Sequence, residues 1–288
     1  MVRIYYYNFD VDNALPGREI VNPPQEQTFR AHNNACNVEN FFRDVLEHNL
    51  EEEDIEICIC SIMCVEDPHP NNRVYEVAYW DDLRKQAFFG QQLIQNKQLR
   101  SWAVAQDIVA HEFGHGLTNY TAKLVYKYES GALDESYADI FAILIVNYEQ
   151  PNISQWNWKI GSGFGANGQA IRDLSSPGNH NNPEHMNDYR KLAYHDDHGG
   201  VHCNCGIHNK AAYNLITSLD EKNNYLFTAK SVAVLFYRAL IQLGENSCFS
   251  DSRRAIEQVA KTLYRKDPLK EQKIRAITTA FESVGITS

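Results

Sequence analysis

The sequence predicts an α+β protein of two lobes, with a strand-rich N-terminal half, a helical C-terminal half and a site in the cleft between them. Two observations predict this class. Before Ser101, short segments rich in β-branched and aromatic residues alternate with turns. From Ser101 onward, apolar residues recur every three or four positions, as in helices. We place residues 1–118 in the N-terminal lobe and residues 119–288 in the C-terminal lobe, and a cleft between lobes is a common place for a site.

The N-terminal half contains candidate strands and one candidate helix. Ile4–Tyr7 is predicted as a strand, and two further strands are predicted within Ile55–Val65 and Arg73–Trp80. Another begins at Phe88. Asn37–Leu46 is predicted as a helix because its apolar residues fall on one side.

The C-terminal half is predicted to be helical with one long loop. Helices are expected over Ser101–Leu117 and Leu133–Asn147, and residues 150–200, rich in Gly, Asn, Pro and His, are expected to be mostly loop. Ser250 and Asp251 fit the N-cap of a later helix. The remaining predicted helices span residues 206–219, 228–243, 251–265 and 269–284.

The composition of the chain argues against some classes of binding partner and limits the compartments in which we expect the protein. The 288 residues carry a net charge of −10, which argues against nucleic acid, because such proteins show a basic face. No stretch approaches the roughly 20 apolar residues that span a bilayer, so no membrane segment is expected. Residues 1–5 lack the apolar core of a signal peptide. We expect a cytoplasmic protein, a protein secreted without a signal peptide, or the mature form of a secreted precursor.

The cysteines leave two interpretations open. Seven is an odd number, so not all can pair within the chain. Cys58, Cys60 and Cys64 lie in an apolar segment and are expected to be buried thiols. A second metal site there is the alternative, although the segment lacks the paired C-x-x-C of structural zinc. The thiols favour a reducing compartment at some stage.

The sequence His111-Glu112-Phe113-Gly114-His115 is an H-E-x-x-H motif on a predicted helix. Residues four apart share one helical face, so both imidazoles can reach one metal ion. Glu112 is displaced around the helix and can reach a metal-bound water without ligating the metal. The motif therefore predicts a catalytic zinc site.

Catalytic zinc usually takes three protein ligands and a water. Glu135, on the next predicted helix, is the candidate third ligand. Asp139 lies one turn further and could accept the free N–H of a ligand histidine. An alternative is that acidic residues near the start of a helix only stabilise the helix, and this explains Asp134 better than it explains Glu135 and Asp139.

A second cluster runs from Asp197 to His202 and includes two glycines. His202 could donate a hydrogen bond to an oxyanion, and Asp197 could fix its tautomer.

Taken together, these segments resemble the thermolysin family of zinc metallopeptidases, and the short N-terminal half resembles its protealysin branch most. The resemblance is strong and collinear from Ser101 to Leu215 and weaker before it, at Leu15–Gly17 and Ala78–Trp80. The matching stretches are His111–Leu117, Asn119–Ala122, Tyr126, Glu129–Ala132, Glu135, Asp139–Phe141, Ile171–Arg172 and Asp197–Ala212.

The resemblance implies a thermolysin-like two-lobed fold and an endopeptidase with one catalytic Zn²⁺ held by His111, His115 and Glu135. It implies Glu112 as general base. It implies that Tyr126 and His202 donate hydrogen bonds to the oxyanion. It also implies that Asp197 orients His202 and that Asp139 supports a ligand histidine. Asp134 would add a negative charge just outside the ligands.

The resemblance also implies how a polypeptide substrate binds. Arg172 would bond a substrate carbonyl, and Ile108 and Ile171 would make the S1′ pocket apolar, so cleavage is expected before bulky hydrophobic residues. Ala78 would lie on an edge strand that pairs with the substrate backbone.

The chain departs from the family pattern in several places. Asp134 replaces an asparagine, Val77 replaces a substrate-binding asparagine, and Cys203 and Cys205 replace residues that are not cysteine. The two thiols are either packed or a place where oxidation modulates activity. The family's double calcium site is predicted to be absent: Asp107 matches, but the later positions are Val146, Asn157, Lys159 and Ser162.

Several functions remain as alternatives. An endopeptidase of broad specificity is favoured over a toxin or effector protease with few targets. A zinc-bound pseudoenzyme would need a lost catalytic group, and an aminopeptidase would need an acidic motif that is not found. No inhibitory propeptide is visible upstream of Ile4, so a separate protein inhibitor is a possible partner. We expect a monomer.

Overall fold

The computed structural model describes residues 3–6, 18–19, 26–47, 58–61, 77–93 and 99–287. The chain divides into two compact units, Met1–Gly116 and Leu117–Ser288. The division falls inside one continuous helix, α2 (Gln106–Tyr120). The predicted boundary after residue 118 lies in the same helix.

Strands form the sheets of the first unit. Within its described part, five strands form one sheet in the order β2-β1-β3-β5-β4, with β1, β3 and β5 parallel and β2 and β4 antiparallel to their neighbours. Two further strands, β6 and β7, pair antiparallel. The strands are β1 (Arg3–Tyr6), β2 (Arg18–Glu19), β3 (Cys58–Ser61), β4 (Ala78–Asp81), β5 (Gln86–Phe89), β6 (Gln91–Leu93) and β7 (Leu99–Ser101).

Helix α1 (Glu26–Leu46) is longer than the predicted Asn37–Leu46. Its buried stripe begins in the first half, at Ala31 and Ala35, and continues through Val38 and Phe42. Small alanines among polar neighbours do not stand out as an apolar face, so the sequence revealed only the second half. The Asn34 amide donates to the carbonyl of Ala103 at 2.9 Å and fixes α1 to the turn before α2.

Helix α2 follows a short turn, Trp102–Val104, that the Ser101 side chain caps. Its apolar residues Ile108, Val109 and Phe113 are buried. Trp80 of β4 packs beside Phe113, with ring centroids 6.2 Å apart. A side chain at Gly116 would lie 3.0 Å from the Trp80 ring. The absence of one there lets the indole lie against this helix.

Five helices build the described second unit: α3 (Tyr128–Val146), α4 (Asp197–Ile216), α5 (Ala229–Leu240), α6 (Phe249–Leu263) and α7 (Lys270–Glu282). Two short strands, β8 (Lys159–Ile160) and β9 (Arg172–Asp173), pair antiparallel. Residues 130–145 of α3 are all buried, so this helix is the core of the unit. Residues 150–196 form turns and loops around the two strands.

Four helix starts of this half differ from the predictions. Helix α2 begins at Gln106 rather than Ser101, and α3 at Tyr128 rather than Leu133, so Asp134 is not at a helix start.

The first four residues of α4, Asp197–Gly200, have positive φ angles, two of them at glycines, so the regular right-handed helix begins at Val201 and not near residue 206. Helix α6 is capped by Cys248, not by Ser250. Asp251 is its third residue, and its carboxylate accepts the backbone N–H of Cys248 at 2.9 Å.

The predicted α+β class is confirmed by these elements. Among the residues described, no helix combines the length and apolar character needed to cross a bilayer. Cys64 and the predicted Leu15–Gly17 turn lie outside the described residues. The strand predicted within Ile55–Val65 is described only at Cys58–Ser61.

Candidate metal centre and active site

Helix α2 presents two imidazoles side by side. Nε2 of His111 lies 3.1 Å from Nε2 of His115, and the rings meet edge to face with centroids 4.7 Å apart. Two Zn–N bonds of tetrahedral geometry place their nitrogens about 3.3 Å apart. His111 is buried and His115 half-buried, so both nitrogens are held in fixed positions on the helix. Glu112, between them in sequence, is also buried.

Glu135 completes a group of metal-ligating atoms. One ligand atom each from His111, His115 and Glu135 lie within 4.8 Å of one another. Glu135 is fully buried on α3. Two neutral imidazoles and one carboxylate form the donor set that zinc takes in hydrolytic sites, so these residues fit the metal.

The start of α3 is fixed by close packing. The Ser130 hydroxyl donates to the carbonyls of Val125 and Lys127 at 2.7 and 2.9 Å. A side chain at Gly131 would lie 2.6 Å from Val201 and 2.9 Å from the backbone of Tyr126. Glycine at this position therefore lets α3, α4 and the Tyr126 segment approach one another.

Tyr126 joins Glu135 and His202. Its hydroxyl donates to Oε1 of Glu135 and lies 3.1 Å from Nε2 of His202. Nε2 of His202 lies 3.3 Å from the same Glu135 oxygen. The phenol and the imidazole thus point at one end of the Glu135 carboxylate.

Asp197 holds His202 from the other side. Its carboxylate contacts Nδ1 of His202 and accepts the His202 backbone N–H at 3.0 Å. Asp197, His198, Gly199 and Gly200 all have positive φ angles. A side chain at Gly199 would lie 2.2 Å from the Tyr128 ring. This turn brings the Asp197 side chain back to the helix that carries His202.

The hydrogen bonds indicate a protonated His202. Nδ1 faces a carboxylate and carries one proton. The single Tyr126 hydroxyl proton points to Glu135, so the contact of Nε2 with Tyr126 is a hydrogen bond only if Nε2 carries a second proton. The pKa of His202 is raised, chiefly by the charge of Glu135 and also by Asp197, against the opposing effect of burial. Burial would raise the pKa of Asp197, but the hydrogen bonds and the charge of His202 lower this pKa below its ordinary value.

Arg172 and Asp139 form a second buried centre. Nε and Nη2 of Arg172 each lie 2.7 Å from a different oxygen of Asp139. The Asn209 amide donates to Oδ2 of Asp139 at 2.8 Å. Nη2 of Arg172 also lies 3.7 Å from Oε2 of Glu135. Burial opposes the charge on Arg172, but the Asp139 carboxylate raises its pKa well above the ordinary value.

Asp134 precedes the candidate third ligand and is buried. Its carboxylate accepts a short hydrogen bond from the hydroxyl of Thr118. The acid that replaces the family's asparagine therefore has a hydroxyl donor within the second unit.

The candidate substrate-binding residues lie on three different elements. Ala78 is the first residue of β4, which is the edge strand of its sheet among the described strands, and it pairs with Phe89. Ile108 is buried on α2. Ile171 is half-buried before β9, where its backbone N–H bonds the carbonyl of Ile160 at 2.9 Å. The Val77 carbonyl accepts the N–H of Gly90 at 2.7 Å.

Cys203 and Cys205 are free thiols on α4. Cys205 is buried and its Sγ lies 3.1 Å from the carbonyl of His202, while the half-buried Cys203 bonds the carbonyl of Gly200 at 3.4 Å. Burial raises the pKa of both thiols, that of Cys205 well above its usual range. These surroundings favour packed thiols over a redox site.

Sequence reasoning missed several polar side chains near this centre. Asn209 bonds Asp139, and Ser136 bonds both Asn209 and His208. Asn209 lies inside the stretch that carries the resemblance, which is a usable signal. The hydrogen bonds of Ser136 and His208 could not be predicted from local sequence, because their partners are 44 to 73 residues away.

Two family models match the chain. The model of the thermolysin metallopeptidase catalytic domain matches residues 11–119. The model of the thermolysin metallopeptidase alpha-helical domain matches residues 122–286, more than half of the chain. The chain belongs to the thermolysin family of metallopeptidases. The predicted family is therefore confirmed, and its members are zinc-dependent.

Two curated proteins illustrate the similarity of the chain to known relatives. A "Zinc metalloproteinase" of Listeria monocytogenes is 36% identical over 219 residues, which are 73% of this chain and 37% of that protein. An "Extracellular elastase" of Staphylococcus epidermidis is 38% identical over 186 residues, 63% of this chain and 32% of that protein. The chain spans about a third of the length of the curated relatives it matches.

A solved structure has the same fold. The precursor of protealysin, a metalloproteinase from Serratia proteamaculans, superposes with a TM-score of 0.78 at 24% identity. The match covers 100% of this chain and 88% of that one. The thermolysin-like fold expected from the sequence is thereby confirmed.

Proposed function

We propose that this chain is a zinc-dependent endopeptidase that cleaves on the N-terminal side of bulky hydrophobic residues. The observation that carries the proposal is the group of ligand atoms from His111, His115 and Glu135 within 4.8 Å of one another. Membership of the thermolysin family supports it.

The residues of the chain have distinct proposed roles. Zinc, when bound by these ligands, acidifies a water and polarises a carbonyl. Glu112 accepts the proton of the attacking water and passes it to the leaving amine nitrogen. Its place directly after His111 on α2 supports this role, because it is turned away from the ligand face but stays within one turn of it.

Tyr126 and His202 are the proposed donors to the scissile carbonyl oxygen as it gains negative charge. Their O–H and N–H groups lie 3.1 Å apart, so both can donate to one atom. Asp197 fixes the tautomer of His202 and stabilises its charge. Loss of one such donor typically lowers the rate by about 100- to 1000-fold.

The outer residues are proposed to position ligands and substrate. Asp139 supports a ligand histidine and Asp134 lies just outside the ligands. Arg172 bonds a substrate carbonyl, and its bidentate contact with Asp139 supports a rigid guanidinium. Residues that contact the substrate side chain and backbone are proposed to be Ile108 and Ile171 in an apolar S1′ pocket and Ala78 on the edge strand.

We also infer that the double calcium site is absent. Lys159 adds a positive charge and Val146 an apolar side chain where ligands would be needed. Calcium titration followed by thermal unfolding tests this, because a bound ion would raise the Tm. We further propose that the protein is a monomer that acts on polypeptides and is open to control by a protein inhibitor. We also propose that it is secreted, which the name of the staphylococcal relative supports.

Digestion of casein, followed by mass spectrometry of the products, tests the proposed specificity. We expect many cuts, most of them before Leu, Phe or Ile, and none after zinc chelation. If zinc is bound but casein stays intact, broad proteolysis is wrong. A narrow-specificity effector would then be the better description, and the Val77 region the first place to look.

A further inference from the structure

His208 lies in a closed aromatic environment on α4. It is fully buried, and its ring stacks on Phe249 with centroids 5.7 Å apart. Phe281 and Tyr137 both lie 5.6 Å from it. Burial lowers the pKa of His208 to about 3. The imidazole is therefore neutral at physiological pH, with one N–H and one bare nitrogen.

The hydrogen bonds on one side of His208 lead to Asp139. The Asn209 amide nitrogen donates to Asp139 at 2.8 Å, so the amide oxygen faces the other way. That oxygen accepts the Ser136 hydroxyl proton at 2.7 Å. Ser136 must then accept in its remaining contact, at 2.7 Å from Nδ1 of His208. The single ring proton therefore sits on Nδ1.

Placing the ring proton on Nδ1 also fixes the direction of the hydrogen bonds at Nε2. A bare Nε2 accepts, so the Ser252 hydroxyl, 2.9 Å away, is the donor. Ser252 then accepts from the Tyr137 hydroxyl, also at 2.9 Å. Every bond in the chain from the Tyr137 phenol to the Asp139 carboxylate donates in the same direction. Aligned bonds of this kind polarise and strengthen one another.

This chain of bonds ends beside the candidate metal centre. Ser136 directly follows Glu135, and Asp139 holds the Arg172 guanidinium, which lies 3.7 Å from Glu135. An apolar side chain at position 208 would leave the Ser136 and Ser252 hydroxyls without their ring partner. The Ser136 hydroxyl could still reach the Asn209 amide oxygen, but no ring N–H would hold Ser136 as the donor in that bond.

We propose that His208 is a positioning residue, whose Nδ1–H holds Ser136 and Asn209 so that Asp139 and Glu135 keep the orientation needed for metal binding. The proposal rests on the proposed function only in assigning zinc to Glu135. His208 touches neither substrate nor metal ligand in this scheme. It acts through two hydrogen bonds that a neutral, singly protonated ring can make at once.

Zinc affinity separates this role from simple core packing. We would measure the zinc dissociation constant by competition with a chelator for wild type, His208→Leu, His208→Gln and Ser136→Ala. His208→Leu and Ser136→Ala should weaken zinc binding by about tenfold, the lower end of the range for residues that support ligands. Gln can donate and accept at once, so His208→Gln should recover part of the affinity. The matched control is Ile256→Ala, a buried apolar truncation on α6.

The control should lower the urea midpoint without changing zinc affinity. Unchanged affinity in the folded Ser136→Ala variant, or equal losses in Ile256→Ala at matched stability, would overturn the proposal. If His208→Leu does not fold, the zinc affinity of Ser136→Ala and the ¹⁵N NMR spectrum of wild type still test the proposal. The NMR spectrum should show a neutral Nδ1–H tautomer between about pH 5 and 8, and an Nε2–H tautomer would contradict the scheme. None of these readouts depends on peptidase activity, so failure of the endopeptidase proposal would be seen separately, in the casein assay.

Discussion

Arg172 and Asp139 form a buried bidentate ion pair, with two N···O distances of 2.7 Å. The Asp139 side chain is 0% exposed and that of Arg172 10%. Removal of Asp139 would leave the buried Arg172 guanidinium with the more distant Glu135 carboxylate, 3.7 Å away. Asp139→Ala should therefore lower the free energy of unfolding by about 3–5 kcal/mol.

A double-mutant cycle measures this pair. In urea unfolding without metal, the double variant Asp139→Leu/Arg172→Met should cost less than the sum of its single substitutions, because it removes both charges. Additive costs would mean that the two charges do not stabilise each other.

Gly131 provides a test of the packing that positions Tyr126. Gly131→Ala should destabilise the protein by about 1–3 kcal/mol, since its Cβ would lie 2.6 Å from Val201 and 2.9 Å from the Tyr126 backbone. Thermal unfolding measures the loss. Gly244→Ala is the matched control, because no atom lies within 4 Å of a Cβ there. If both substitutions changed the stability equally, the expected clash of a side chain at position 131 with Val201 and Tyr126 would be wrong.

The cap of α6 should give a pH-dependent contribution. The pKa of Asp251 is lowered, first by the backbone N–H of Cys248 and then by the Cys248 thiol and Arg254, with burial opposing. Because the folded-state pKa lies below the ordinary 3.8, the contribution is present above that value and is lost as pH falls through the folded-state pKa.

Asp251→Ala should therefore cost about 1 kcal/mol at neutral pH and progressively less at low pH. Asp251→Asn keeps an acceptor but no charge, and its stability relative to wild type should rise as pH falls. Urea unfolding at several pH values measures both. A cost for Asp251→Ala that stayed constant down to the lowest pH would contradict the assignment.

The two cysteines of α4 should react very differently with thiol reagents. Cys203 is half-buried and Cys205 fully buried, and burial raises the pKa of each. Labelling of native protein, located by mass spectrometry, should find Cys203 modified slowly and Cys205 only after unfolding. They lie two residues apart on one helix, so their side chains point in different directions and no disulfide should form between them. Rapid loss of both thiols on mild oxidation would instead support a redox site.

The sequence was most informative where the chemistry is local. His111 and His115 could be selected as ligands because four-residue spacing on a helix brings two side chains together. The helices of the second unit could be predicted because their buried faces repeat every three or four residues, as in α5 and α6. Helix α1 was half missed because alanine gives a weak apolar signal.

The remaining features depend on contacts distant in sequence. The partners of His208 are Ser136 and Ser252, 72 and 44 residues away. A buried histidine among aromatic residues looks the same in sequence whether it is paired or not. The start of α4 was placed too late for a different reason: Gly199 and Gly200 do interrupt the helix and form the turn that carries Asp197 into position, but the regular helix resumes directly after them, at Val201.

The central claim is that a zinc ion held by His111, His115 and Glu135 works with Glu112 as general base. The most direct measurement is the rate of cleavage of an internally quenched Gly-Leu peptide by wild type and Glu112→Gln, on samples whose zinc content is known. We predict about one zinc per chain in both proteins and cleavage by wild type alone. Equal rates in the two proteins, or cleavage that persists after zinc is removed, would contradict the mechanism.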